Sequence, residues 1–204
     1  MFNKLRMAVL ASCLPFAVLA QEPPGMDQLL EGVRGTALNL QDTVALLGES
    51  ILNSQNSAEN GAAVLEQMLA AANDVSASLD RDSEIWINLE ELLEDWSATR
   101  DDLTARSGAN PALGPIAEQW QERIDQARAL RTQILDQATD SATMVEQIEE
   151  QREVILALYE VGAADAVLAT MQALSAELGS MNDQMQIILD QTGVVAGVEG
   201  VAQN

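Results

Sequence analysis

Ser107-Gly108-Ala109-Asn110-Pro111-Ala112-Leu113-Gly114-Pro115 stands near the middle of the 204-residue chain, and its reading decides the fold. Glycine stops a helix, and proline cannot continue one but can begin the next. The chain on both sides reads as helix. Before the break, apolar residues recur at Trp86, Leu89, Leu93, Trp96 and Leu103. After it they recur at Ile116, Trp120, Ile124, Ala127, Leu130, Ile134, Ala138, Val145, Ile148, Ile155 and Tyr159. Steps of four and three are the seam of a helix that packs on other helices, as in bundles and coiled coils. The break therefore joins two antiparallel arms.

Further out the rhythm continues. Leu65, Met68, Ala72, Val75 and Leu79 extend the first arm. Met26, Leu30, Val33, Ala37, Leu40, Val44, Leu47 and Ile51 precede it, and Val167, Met171, Leu174, Leu178, Met181, Met185 and Ile188 follow the second arm. No stretch shows the β-branched alternation of a strand. Two more breaks punctuate the pattern. One is Asn53-Ser54-Gln55-Asn56-Ser57 with Asn60-Gly61, where Glu59 and Asn60 stand as capping partners. The other is Gly162-Ala163-Ala164-Asp165, a glycine stop followed by an Asp that could cap the next helix. Asp82-Ser83 is a weaker mark, read as a kink or cap inside a longer arm.

Asn56 lies 53 residues before Ala109, and Gly162 lies 53 residues after it. In a hairpin with its tip at Ala109 these breaks fall at one level, so the chain reverses at both. The expected fold is all-α: an antiparallel helical bundle with a long coiled-coil hairpin and two outer helices folded back on its basal half. The predicted helices are 26–53, 57–106, 115–161 and 165–191, with arms of ~70 Å at 1.5 Å per residue. The small and apolar residues Ala62 to Leu65 and Ala70 to Ala72 suit a helix with several neighbours. The alternative is a single long two-helix hairpin, because the rhythm keeps its phase across 53–61.

The termini read differently. Lys4 and Arg6 precede fourteen uncharged residues, Met7 to Ala20, ending in Val18-Leu19-Ala20. This is the layout of a secretory signal peptide over 1–20, with cleavage predicted after Ala20. The run is shorter than the ~20 residues that span a bilayer. The rival reading is a lipid anchor at Cys13, where Leu10-Ala11-Ser12-Cys13 resembles a lipobox. The bundle would occupy 21–191, and 192–204, with Gly193, Gly197 and Gly200, reads as a flexible tail. The expected place is the periplasm or the exterior, with no transmembrane span in the mature chain.

Composition narrows the chemistry. The chain has 32 acidic residues, 10 basic ones, no His and one Cys. No imidazole is present for a Ser-His-Asp or Cys-His pair, and Cys13 cannot form an internal disulfide. A net charge of −22 disfavours nucleic acid, whose phosphates need Lys and Arg. Processing after Ala20 would remove Lys4, Arg6 and Cys13. No metal site, cofactor or catalytic residue is expected.

Candidate contact residues lie near the tip. Glu90, Glu91, Glu94 and Asp95 form an acidic run, followed by Asp101 and Asp102, while the return arm carries Arg123, Arg128 and Arg131. Flanking charge of this kind solvates a seam and sets its register, or else forms a weak divalent-cation site or an anionic face for a basic partner. Trp86, Trp96 and Trp120 all fall in the distal half, on the seam; they are core residues or, at the tip, an aromatic partner site. Arg100, Asp82 and Arg152 interrupt the seam. With the tip at 109, Arg152 falls opposite Glu66, so these two form an expected register pair. Met171, Met181 and Met185 read as core.

The expected function is a non-catalytic, exported structural or adaptor protein of the cell envelope that works by contact with protein partners. A homo-oligomer through the distal coil is compatible with this. The alternative is a stand-alone periplasmic ligand-sensing four-helix bundle. The architecture is analogous to the periplasmic helical-bundle sensing modules of bacterial chemoreceptors, an analogy of fold alone.

Overall fold

The computed structural model describes residues 26–197; the expected signal segment and the last residues of the expected tail lie outside it. Five α-helices follow one another: α1 (Met26–Ser54), α2 (Ala58–Leu79), α3 (Glu84–Ser107), α4 (Gly114–Glu160) and α5 (Ala164–Ala196), with a 3-10 turn at Pro111–Leu113 before α4. No strand occurs among the described residues.

The three breaks are built from the residues that signal them. At the tip, Arg106 O accepts from Ala109 N–H and Asn110 N–H, and Asn110 Oδ1 accepts from Ala112 N–H at 3.3 Å, setting Pro111 into the 3-10 turn. Ser57 Oγ accepts from Asn60 N–H at 3.2 Å and caps α2. Gly162 adopts φ +71, and Ala163 N–H then reaches back to Leu158 O at 2.9 Å, closing the end of α4. The cap of α5 differs from expectation. Ala163 is its N-cap with no side-chain bond, and Asp165 lies inside the first turn, where its charge favours the helix dipole instead.

The arms pair along their length: α4 packs on both α2 and α3. α1 packs on α2 and α5, and α5 packs on α4, so four rods stand in the circular order α1, α2–α3, α4, α5. Short turns make consecutive rods antiparallel. This is the folded-back bundle and not the single long hairpin. α1 passes the interruption between α2 and α3, because an added Cβ at Gly32 would meet Ile85 at 2.9 Å. On the other side Gln137 Nε2 lies 3.5 Å from Met181 O. Antiparallel counting from that contact brings Ala196 to about the level of Arg123. The cover thus passes the middle of the hairpin, leaving the region around the tip as a two-helix coil. One continuous apolar cluster runs through all five helices.

Two further expectations are corrected. Asp82 is not a seam charge: α2 stops at Leu79, and Asp82 is exposed in the turn, where its N–H reaches Asp80 Oδ1 at 3.3 Å. Ser83 Oγ then accepts from Trp86 N–H at 3.2 Å and restarts the helix. The interruption resets the phase so that no charge enters the core. Second, the start of the expected tail at 192 is helical. Thr192 is fully buried and its Oγ1 donates to Ile188 O at 2.7 Å, Val195 is buried, and the helix ends only where Gly197 takes φ +78. The reason is packing: α5 lies antiparallel on α1, so its last turn reaches the level of Met26 and Leu29, themselves buried.

Candidate functional site

The distal half of the hairpin is built around its tryptophans. Trp96 and Trp120 meet edge to face, with centroids 5.9 Å apart at 66°. Trp86, Trp96 and Trp120 are 7%, 2% and 8% exposed, so all three lie in the core. The Trp96 and Trp120 indole N–H groups have no acceptor among the described residues, leaving ring packing to hold the pair. Arginines cover the rims. The Arg123 guanidinium lies 5.6 Å from the Trp120 ring centre; Arg81 and Arg131 lie 6.0 and 5.4 Å from that of Trp86.

The acidic run is divided by helix geometry. Glu90 is half-buried, and its Oε1 meets Arg131 Nε at 2.6 Å across the hairpin. Glu91, Glu94 and Asp95 are exposed. Arg128 turns to Asp125 of its own helix at 3.3 Å, so of the three return-arm arginines only Arg131 bridges to the acidic run. Arg100 bonds the Gln121 side chain across the hairpin and meets Asp101 at 2.7 Å. At the basal level the structure brings Arg152 Nη2 within 2.5 Å of Glu66 Oε1, with both side chains about half exposed. Met171, Met181 and Met185 are buried.

A second feature lies between α4 and α5. Gln137 and Ser141 occupy core positions of α4 between Ile134 and Met144, where the apolar rhythm of the sequence points to Ala138, which is only half-buried. Ser141 Oγ donates to Gln137 O at 2.7 Å and lies 3.3 Å from Met181 Sδ. A groove of about 230 Å³ opens over Gln137, bordered by Asp140 and Glu177. The signal that could have found it is the gap between Ala138 and Val145 in the apolar pattern, which polar residues fill. No three His, Cys, Asp or Glu side chains gather into a metal-holding group among the described residues. No described helix is long and apolar enough to cross a membrane.

Comparison with protein-family models, curated proteins and solved structures finds no match for the chain.

Proposed function

We propose that this is an exported, non-catalytic helical-bundle protein that acts by protein–protein contact in the cell envelope. The supporting observation is how charge is distributed. Arg100, Arg106, Arg128, Arg131 and Arg152 are engaged in ion pairs, and Arg81 and Arg123 lie over tryptophan rings. Glu91, Glu94 and Asp95 remain as an exposed anionic strip on α3, beside a hairpin stiffened by its tryptophans. Such a strip steers and orients a basic partner. The leader-like residues 1–20 support export, and the absence of His, with the single Cys in that leader, supports a role without His- or Cys-dependent catalysis.

The test is a photo-crosslinking amino acid at exposed Ala98, one turn from Glu94 and Asp95. The expected result is an adduct with a basic envelope protein in native cells, lost when Glu91→Lys, Glu94→Lys and Asp95→Lys reverse the strip while circular dichroism stays helical. An absent adduct, or one indifferent to the reversal, would contradict the reading. The groove between α4 and α5 favours a second reading, a ligand-sensing four-helix bundle, for which a small molecule should raise the melting temperature.

A further inference from the structure

Helix α1 carries a second seam on the side away from the core. Val33, Ala37, Leu40, Leu47 and Ile51 face inward and are buried. On the other side Arg34, Leu38, Gln41, Ala45, Gly48 and Leu52 recur at steps of four and three, and all six are exposed. That spacing is the one by which a helix receives another helix. Leu38 and Leu52 are 46% and 59% exposed, so the row presents large apolar side chains to solvent. Gly48 lies between them. A Cβ added there would meet nothing within 4 Å, so no contact inside this chain requires a glycine. Glycine weakens a helix interior relative to alanine, and its use is close approach of another backbone. From 34 to 52 the row extends ~27 Å along α1.

Charge beside the row selects its occupant. Asp42 and Glu49 are exposed and, at about 100° per residue, lie within about 60° of the middle of the row. Counting antiparallel from the Ser54–Met171 contact, exposed Asp183 of α5 stands level with Asp42. Acids flanking an apolar row take Lys and Arg from the facing helix. Arg34, at one end, makes no ion pair among the described residues and takes an acid there, which fixes the direction of the occupant. A second copy is disfavoured: laid parallel or antiparallel on this row, two copies bring Asp42 against Asp42, and each chain carries a net charge of −22. Anionic lipid headgroups would meet the same acids. We propose that the outer seam of α1 receives one basic amphipathic helix of a protein partner, with apolar residues over Leu38, Ala45 and Leu52, Lys or Arg beside Asp42 and Glu49, and closest approach at Gly48. The proposal rests on the reading of the chain as a contact protein and adds a surface distinct from the α3 strip.

The test is fluorescence anisotropy of a labelled helical peptide of about 20 residues, ~30 Å long, with Leu at seam positions, Lys on their flanks and one Glu for the Arg34 end. The full chain is titrated into it at about 0.15 M NaCl, where attraction between exposed charges is screened within about 8 Å. The expected result is one saturable site per chain, with a scrambled peptide of the same composition bound about tenfold more weakly or less. Leu38→Gln with Leu52→Gln should weaken binding by about tenfold or more, as should Gly48→Gln alone. Gly48→Gln should melt no lower than the wild type, because Gln is the better helix former and its place is open. Asp42→Asn with Glu49→Gln should also weaken binding, whereas Glu118→Gln with Glu122→Gln, the same charge change on an exposed part of α4, should not. Glu91→Gln, Glu94→Gln and Asp95→Asn together should leave the affinity unchanged, so the α1 seam and the α3 strip can each fail alone. No saturable binding, equal binding of the scrambled peptide, full affinity in Gly48→Gln, equal weakening by the two carboxylate pairs, or loss with the α3 substitutions would overturn the seam. Self-association of the chain, or adsorption to phosphatidylcholine vesicles, that Leu38→Gln with Leu52→Gln abolishes would overturn it too, by giving the row to a second copy or to a lipid surface.

Discussion

Tyr159 is where three helices are tied by single atoms. Its hydroxyl donates to Ser54 O at 2.8 Å, a second bond to the carbonyl that also accepts from Ser57 N–H at 2.9 Å in the turn after α1. The phenol passes directly over Gly61 in α2, and an added Cβ there would land within the ring. Gly61 is thus needed for close approach and not for a turn; it lies buried inside α2, although the sequence marks Asn60-Gly61 as part of a break. Gly61→Ala should destabilise the protein by about 1–3 kcal/mol through overpacking. Tyr159→Phe keeps the ring and loses one hydrogen bond, for about 0.5–1.5 kcal/mol. Urea unfolding of both variants measures this, and a Gly61→Ala protein at wild-type stability would show that the ring is free to move.

At the scale of helices, register is set by core packing and only trimmed by charge. The Arg152–Glu66 pair spans α4 and α2 at half-exposed positions. A double-mutant cycle of Arg152→Ala and Glu66→Ala should return a coupling of about 0.2–1 kcal/mol that shrinks in high salt. A coupling of several kcal/mol would mean that the pair is desolvated and fixes the register itself. This pairing was legible because helix spacing and one turn position suffice to align two arms. The interruption at Asp80–Ser83 was legible as a mark, but its effect on phase was not: four residues outside helical geometry moved Asp82 from the seam to solvent. The end of α5 was not legible either. Gly193 and Gly197 are equal stop signals in sequence; burial of Thr192 and Val195 carries the helix past the first and ends it at the second. The acidic run was visible as composition. Its division into a paired Glu90 and exposed Glu91, Glu94 and Asp95 depends on the angle at which α3 meets α4.

For the whole molecule, the decisive question is whether the outer helices reverse or run on. Apolar residues two per heptad must be hidden against neighbouring rods, and four rods hide them over most of the length that a lone pair of helices would leave half covered. That closure also creates the α4–α5 groove, so the ligand-sensing reading depends on it. Spin labels at Glu31→Cys and Glu84→Cys in a Cys13→Ser background test it directly, since both positions border one cleft between α1 and α3. Packed helices sit about 8–10 Å apart, so with label arms the pulsed dipolar distance should fall below about 30 Å. A distance near 80 Å, the length of 53 residues of unbroken helix at 1.5 Å each, would contradict the folded-back bundle.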